Sequence, residues 1–254
     1  MQGFPNLEEM SLDSRSIMIL QSELATAVQV LDLHSFPKKS CVNSIPRLIN
    51  LKRVQVHDDS SSSSLKEIFK GLDDVEIKLE SLEVYECHGL VSVAPSSVSF
   101  QTLTILNVHD CNGLINLVTS TVAKSMVHLV ELNVQYCNNL TEIVVGEEDG
   151  TTDEIVFTNL KRLNLCDLQS LTSFCLGNHT FTFPCLEQVT LEIIPNLRTF
   201  CLGLLTAPKL QSVRLTIVDL WRRQEDSWAG DLNATIKQLH VKMVCVDQMF
   251  LFIM

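Results

Sequence analysis

Three cysteines recur at nearly regular spacing along the chain, at Cys87, Cys111 and Cys137. Stacked thiolates are able to bind zinc or to act as nucleophiles. However, further copies of the same segment carry Leu168 and Ile194 at the equivalent position. A metal site would not tolerate this exchange, whereas a small buried apolar position would. The cysteines are therefore predicted to be core residues, and no metal or cofactor is expected.

Histidines form a second set, because His34, His57 and His109 occupy another shared position of the same segment. If His34 and His57 lie on neighbouring strands, they could form a two-histidine metal site or a pH-sensitive site, but polar residues on a binding face explain them more simply. The chain contains no phosphate-binding loop, no G-x-G-x-x-G, no H-E-x-x-H, no G-x-S-x-G and no C-x-x-C. The sequence therefore does not favour an enzyme.

Composition and charge exclude further classes of protein. The 254 residues are 46% hydrophobic and 19% charged, which is typical of a globular protein. With 19 basic and 30 acidic residues, the net charge of −11 argues against binding to nucleic acid or to anionic membranes. Nine cysteines, an odd number, and the absence of a signal peptide indicate a cytoplasmic protein. No apolar stretch reaches the ~18 residues that a membrane span requires.

Internal repeats explain most of the apolar residues. Counting the first residue of each copy as column zero, columns three, five, eight, eleven and fourteen are apolar in the five strongest copies, which follow the leucine-rich-repeat template L-x-x-L-x-L-x-x-N/C-x-L. The strong copies start at Leu79, Leu103, Leu129, Leu160 and Leu186, and weaker copies start at Leu7, Val28, Leu51 and Leu210.

The alternation in columns two to six predicts one short strand per repeat, with successive strands parallel. The expected fold is an α/β solenoid: a leucine-rich-repeat horseshoe of about nine repeats, with the parallel β-sheet on its concave face and irregular or short helical returns. A helix over Asp231–Met243, with Asp231 as N-cap, is predicted to cap the last repeat. We assign residues 1–220 to the repeat domain and residues 221–254 to the cap and tail. Because the first repeat has no cap, a preceding segment is expected.

The concave face is the predicted partner-binding site, because the fold leaves it uncovered. The candidate contact residues are Glu83, Tyr85, Asn107, His109, Asn133, Gln135, Arg162 and Asn164. A second candidate is the acidic loop with Glu147, Glu148 and Asp149, which would contact a basic surface or else simply be solvated.

Several longer motifs suggest a family. The unit FPCLEQVTLEIIPNLRTF, the three cysteine-centred turns, the acidic insert before IVFTNLKRL and the tail WAGDLNATI resemble the C-terminal repeats of plant intracellular disease-resistance proteins. These are immune receptors built from a coiled coil, a nucleotide-binding module and leucine-rich repeats. The resemblance implies a defence role in which the repeats bind a pathogen effector, a guarded host protein or the nucleotide-binding module. That module is absent from this chain, so the resemblance implies no bound nucleotide.

Three alternatives remain open at this point. The repeats could serve a ubiquitin ligase as an F-box-type substrate adaptor, because such proteins also use cysteine in column eight. The chain could be a truncated, non-functional receptor fragment. An enzyme built on a solenoid is the third alternative, although no residue pattern identifies a substrate.

Overall fold

A computed structural model describes residues 8–13, 28–34, 50–58, 65–69, 78–146, 153–217 and 223–238. The described strands are β1 (Glu9–Asp13), β2 (Val30–His34), β3 (Arg53–His57), β4 (Ser81–Tyr85), β5 (Ile105–His109), β6 (Asn116–Thr119), β7 (Glu131–Gln135), β8 (Glu142–Val145), β9 (Glu154–Val156), β10 (Arg162–Cys166), β11 (Thr180–Thr182), β12 (Gln188–Glu192), β13 (Leu205–Thr206), β14 (Val213–Ile217) and β15 (Arg223–Ser227). The described helix with both ends defined is α1 (Ser120–Ser125).

The main sheet has ten strands in the order β1-β2-β3-β4-β5-β7-β10-β12-β14-β15. Every neighbouring pair is parallel except β14 and β15. The column-three residues Leu82, Leu106, Leu132 and Leu163 pair in register and are buried. The parallel sheet of a leucine-rich-repeat solenoid, predicted from the repeat columns, is thus confirmed.

The return segments between the main strands contain short strands that the sequence analysis did not predict. β6 pairs with β8, and β11 lies between β9 and β13, all in parallel. The six-residue α1 lies in the return that follows β6, and the Thr119 side chain accepts a hydrogen bond from the Val122 amide. The returns are therefore partly regular, although their helical content is small, as expected.

One hydrophobic core runs between the sheet and the returns, from Val28 to Ile236. In the second half of the repeats, stacked phenylalanines fill it. Phe157 and Phe183 are parallel with ring centroids 5.3 Å apart, and Phe174 and Phe200 are parallel at 4.4 Å. The rings of Phe174 and Phe183 meet edge to face at 6.0 Å, an arrangement that aromatic quadrupoles favour. Stacking of neighbouring repeats thus supplies the burial that no single repeat could provide.

The C-terminal end differs from the simple cap that we predicted. β15 pairs antiparallel with β14 and continues the sheet by one strand. Residues 232–238 are helical, and Asp231 accepts a hydrogen bond from the Ala234 amide at 2.7 Å, as an N-cap does. Leu239 and Met243 of the predicted cap lie outside the described residues. The cap, the count of about nine complete repeats and the domain boundary at residue 220 stay predictions.

Candidate functional site

The strands of the main sheet present two different faces. On the described strands, columns three and five point into the core and are buried, whereas columns four and six are half-buried in most repeats. We call the surface formed by columns two, four and six the open sheet face. All eight predicted contact residues lie on it, on the adjacent strands β4, β5, β7 and β10. Alternation along a strand positions them there, because successive side chains point to opposite sides of a sheet.

A ladder of asparagine amides crosses the middle of this face in column four. The Asn133 Nδ2 donates to the Asn107 Oδ1 at 2.7 Å, and the Asn164 Nδ2 donates to the Asn133 Oδ1 at 2.5 Å. The Asn133 Nδ2 also donates to the Glu131 Oε1 at 2.7 Å. The ladder holds the amides in fixed orientations and leaves further donor and acceptor positions for a partner, because each amide has two donors and two acceptor sites.

An ion pair lies beside the ladder, at the start of the strands. The Arg162 Nε donates to the Glu131 Oε2 at 2.9 Å, and the Arg162 guanidinium makes a second contact with the same oxygen. The hydrogen bond from Asn133, together with the bond and the charge of Arg162, holds the pKa of Glu131 below its usual range. Arg162 was predicted as a contact residue, whereas Glu131 was not, although its column-two position placed it on the same face.

Tyr85 and Glu83 form a hydrogen-bonded pair on β4. The Tyr85 hydroxyl donates to the Glu83 Oε2 at 2.7 Å. Burial is the largest cause of the rise in the Tyr85 pKa from 10.0 to about 12, and the hydrogen bond to Glu83 is the second. The phenol therefore stays protonated, and the Glu83 carboxylate is held at a defined position on the face.

A row of rings runs along the end of the strands. The ring centroids of Tyr85 and His109 are 6.1 Å apart, and those of His109 and Tyr136 are 4.9 Å apart. Tyr136 lies in column seven, directly after β7, and its backbone is left-handed with φ 56°. The column-seven residues Glu86, Asp110, Asp167 and Ile193 share this left-handed conformation, so it is a feature of the repeat. We call Tyr85, His109 and Tyr136 the aromatic row.

Gln135, the remaining predicted contact, pairs in register with His109 on one side and with Cys166 on the other. Its half-buried side chain therefore lies between the aromatic row and β10. The structure thus brings the eight predicted residues onto one continuous surface. Four of them lie in column four, three lie in column six, and Arg162 lies in column two.

The column-eight cysteines lie just beyond the ends of the strands and are fully buried. The Cys87 and Cys137 thiols donate to the Tyr85 and Gln135 carbonyls, both at 3.3 Å. The hydrogen bond with Cys111 and burial raise the pKa of the Cys137 thiol. These buried thiols therefore bond the last residue of the strand from the turn that follows it. Across the residues that the structure describes, no three histidine, cysteine or acidic side chains are placed to hold a metal ion.

The acidic loop residues Glu147, Glu148 and Asp149 lie outside the described residues, so their role stays a prediction. Directly after this loop, Asp153 is paired with Lys124 of α1 at 2.5 Å. Its carboxylate is thus engaged with a cation of this chain.

The fold and the site together define a leucine-rich-repeat module with an uncovered, hydrogen-bonding sheet face. Residues 94–212 match the family model described as plant disease resistance protein RPS2-like, leucine-rich repeats. Over residues 94–212 the repeats are therefore similar to leucine-rich repeats of plant disease-resistance proteins, which supports the resemblance that the sequence motifs predicted. No curated protein and no solved structure matched the chain. In the described part of the chain, no helix is both long and apolar enough to cross a membrane.

Proposed function

We propose that this chain is a non-enzymatic recognition module of plant defence that binds another protein through the open sheet face in the cytoplasm. The match to disease-resistance repeats supports the defence role over that of a ubiquitin-ligase adaptor. The partner would be a pathogen effector, a host protein that effectors modify, or a nucleotide-binding module that the repeats hold inactive.

The asparagine ladder is the observation that carries this proposal. Adaptable amides and ring-bearing side chains give a surface many hydrogen bonds at a low cost in side-chain entropy, which suits protein recognition. Hydrogen bonds link Asn133 to both Asn107 and Asn164, and all three side chains are half-buried. The donor and acceptor positions that the ladder leaves unused lie on the half-exposed side of the sheet, so we expect these amides to contact a partner.

The test is a matched pair of double variants of the full chain, expressed in plant tissue with an affinity tag. Asn107→Arg with Asn164→Arg adds two charges to the open sheet face on strands that are not neighbours. Gln101→Arg with Thr121→Arg adds the same charge at exposed positions on the returns. Quantitative mass spectrometry of the purified complexes should show proteins that the wild type and the control retain and the face variant loses.

Equal recovery of every associated protein by both variants would contradict the open sheet face as the binding surface. Circular dichroism and urea unfolding of both variants establish that any loss comes from the surface and not from unfolding.

A further inference from the structure

The two edges of the open sheet face carry different charges. At the ends of the central strands, the segments 83–88, 107–112 and 133–138 are all described and contain no lysine or arginine. They carry the carboxylates of Glu86 and Asp110 at the edge and that of Glu83 in the middle of β4, and we call these three carboxylates the acidic flank. The face is therefore negative along the edge that holds the aromatic row.

On the central strands β4, β5, β7 and β10, the one lysine or arginine of the open sheet face is Arg162, which lies at the opposite edge. Arg162 binds Glu131, and the Lys52 Nζ is 3.9 Å from the Glu80 carboxylate. By contrast, the partners of the acidic flank among the described residues are neutral groups or histidines. The Glu86 Oε2 is 3.4 Å from the His57 Nε2, and the Asp110 Oδ1 is 3.9 Å from the His88 Nδ1. A histidine supplies a positive charge only when it is protonated, so among the residues that the structure describes the flank has no lysine or arginine partner.

The aromatic row also attracts cations. A cation over the face of a tyrosine ring, within about 6 Å of its centroid, is held by the ring quadrupole, and arginine is the cation most often found there. Tyr136 is 41% exposed, and its ring continues the row beyond His109. Rings and carboxylates thus lie along the same side of the central strands, a combination that complements guanidinium groups.

From this complementarity we propose that the aromatic row and the acidic flank bind an extended, arginine-rich segment of the protein partner. This inference rests on the proposed function and names the chemistry of the partner at one edge of the same face. The row spans two strand spacings, about 10 Å, and an extended chain covers that distance with about three residues. Arginines that alternate with small residues would therefore place successive guanidinium groups along the row.

The experiment measures fluorescence anisotropy of labelled eight-residue peptides titrated with the full chain. The probe alternates arginine and serine, and two control peptides replace arginine by citrulline or by glutamate. Citrulline keeps the shape of arginine without its charge. We expect the arginine peptide to bind at least about tenfold more tightly than either control, with an affinity that falls as salt is added.

Variants locate the binding on this edge. Tyr136→Asn removes a ring while asparagine tolerates the left-handed backbone, and Glu86→Gln with Asp110→Asn removes two charges. Each of these two changes should weaken the arginine peptide about fivefold or more. Tyr136→Phe keeps the ring, and Glu187→Gln removes an exposed carboxylate away from the row, so both should stay within about twofold of the wild type.

Two results would overturn the inference: citrulline and arginine peptides that bind equally, or an arginine peptide that binds the wild type and Tyr136→Asn equally. The proposed function is tested separately, by the variants of the asparagine ladder. If the peptide results are negative while Asn107→Arg with Asn164→Arg still loses plant proteins, the open sheet face binds a partner of different chemistry.

Discussion

Truncation of one column-three leucine provides a quantitative test of the repeat packing. Leu132 lies in β7, is 2% exposed and pairs in register with Leu106 and Leu163 on the two neighbouring strands. Leu132→Ala removes its buried methyl groups and leaves a cavity between two repeats. The transfer free energy of the lost groups and the cavity together cost about 3 to 5 kcal/mol in comparable buried sites.

Urea unfolding followed by far-ultraviolet circular dichroism measures this cost in the free energy of unfolding. The control is Leu202→Ala, because Leu202 is 62% exposed and its truncation should change the stability by less than about 0.5 kcal/mol. The packing described above would be refuted if the two variants lost similar stability, or if Leu132→Ala lost less than about 1 kcal/mol.

Two further predictions concern titration on the open sheet face. In Tyr136→Phe, which leaves Tyr85 as the one tyrosine of the chain, the absorbance of tyrosinate should rise with a midpoint near pH 12, and adding Glu83→Gln should lower that midpoint; a midpoint near 10.0 in still-folded Tyr136→Phe would contradict the geometry. Because the folded pKa of Tyr85 is raised, its contribution to stability is complete below pH 10 and is lost between about pH 10 and 12. The pKa of Glu131 is lowered in the folded state, so its contribution is present above the ordinary glutamate pKa and is lost as the pH falls through the lowered value. Glu131→Gln should therefore be less stable than the wild type at pH 7 and lose that difference in acid; a difference in urea midpoint that persists at pH 2 would count against the role of the ion pair with Arg162.

Most strands of the main sheet were predictable from the sequence because buried residues alternate in them with half-buried or exposed ones. β4, for example, was expected over columns two to six of its repeat and occupies those residues, Ser81–Tyr85. The return strands β6 and β8 were missed because their buried residues, such as Leu117 and Val118 in β6, are consecutive and do not alternate, and β9 and β11 were missed because they have only three residues each. β15 was missed because its sequence, RQEDS, is entirely polar, and only the unpaired edge of β14 explains its position.

The candidate site was likewise predictable from the sequence only in part. Period-two alternation was sufficient to place Asn107, Asn133 and Asn164 on one face. It did not reveal the aromatic row, because Tyr136 follows its strand and reaches His109 of the preceding repeat only through a left-handed backbone. Such a conformation depends on the turn that ends the strand, and neither Tyr nor its neighbours in the sequence favour it by themselves.

The central claim, that the open sheet face is the surface that contacts protein, is tested most directly by site-specific photo-crosslinking in plant cells. A photoreactive benzoylphenylalanine in place of Gln135 lies on the face between the aromatic row and β10, whereas the same residue in place of Thr121 lies on the exposed side of α1. The proposed function predicts a covalent adduct with a second protein from position 135 and none from position 121. An adduct from position 121 alone, or none from either position, would contradict it.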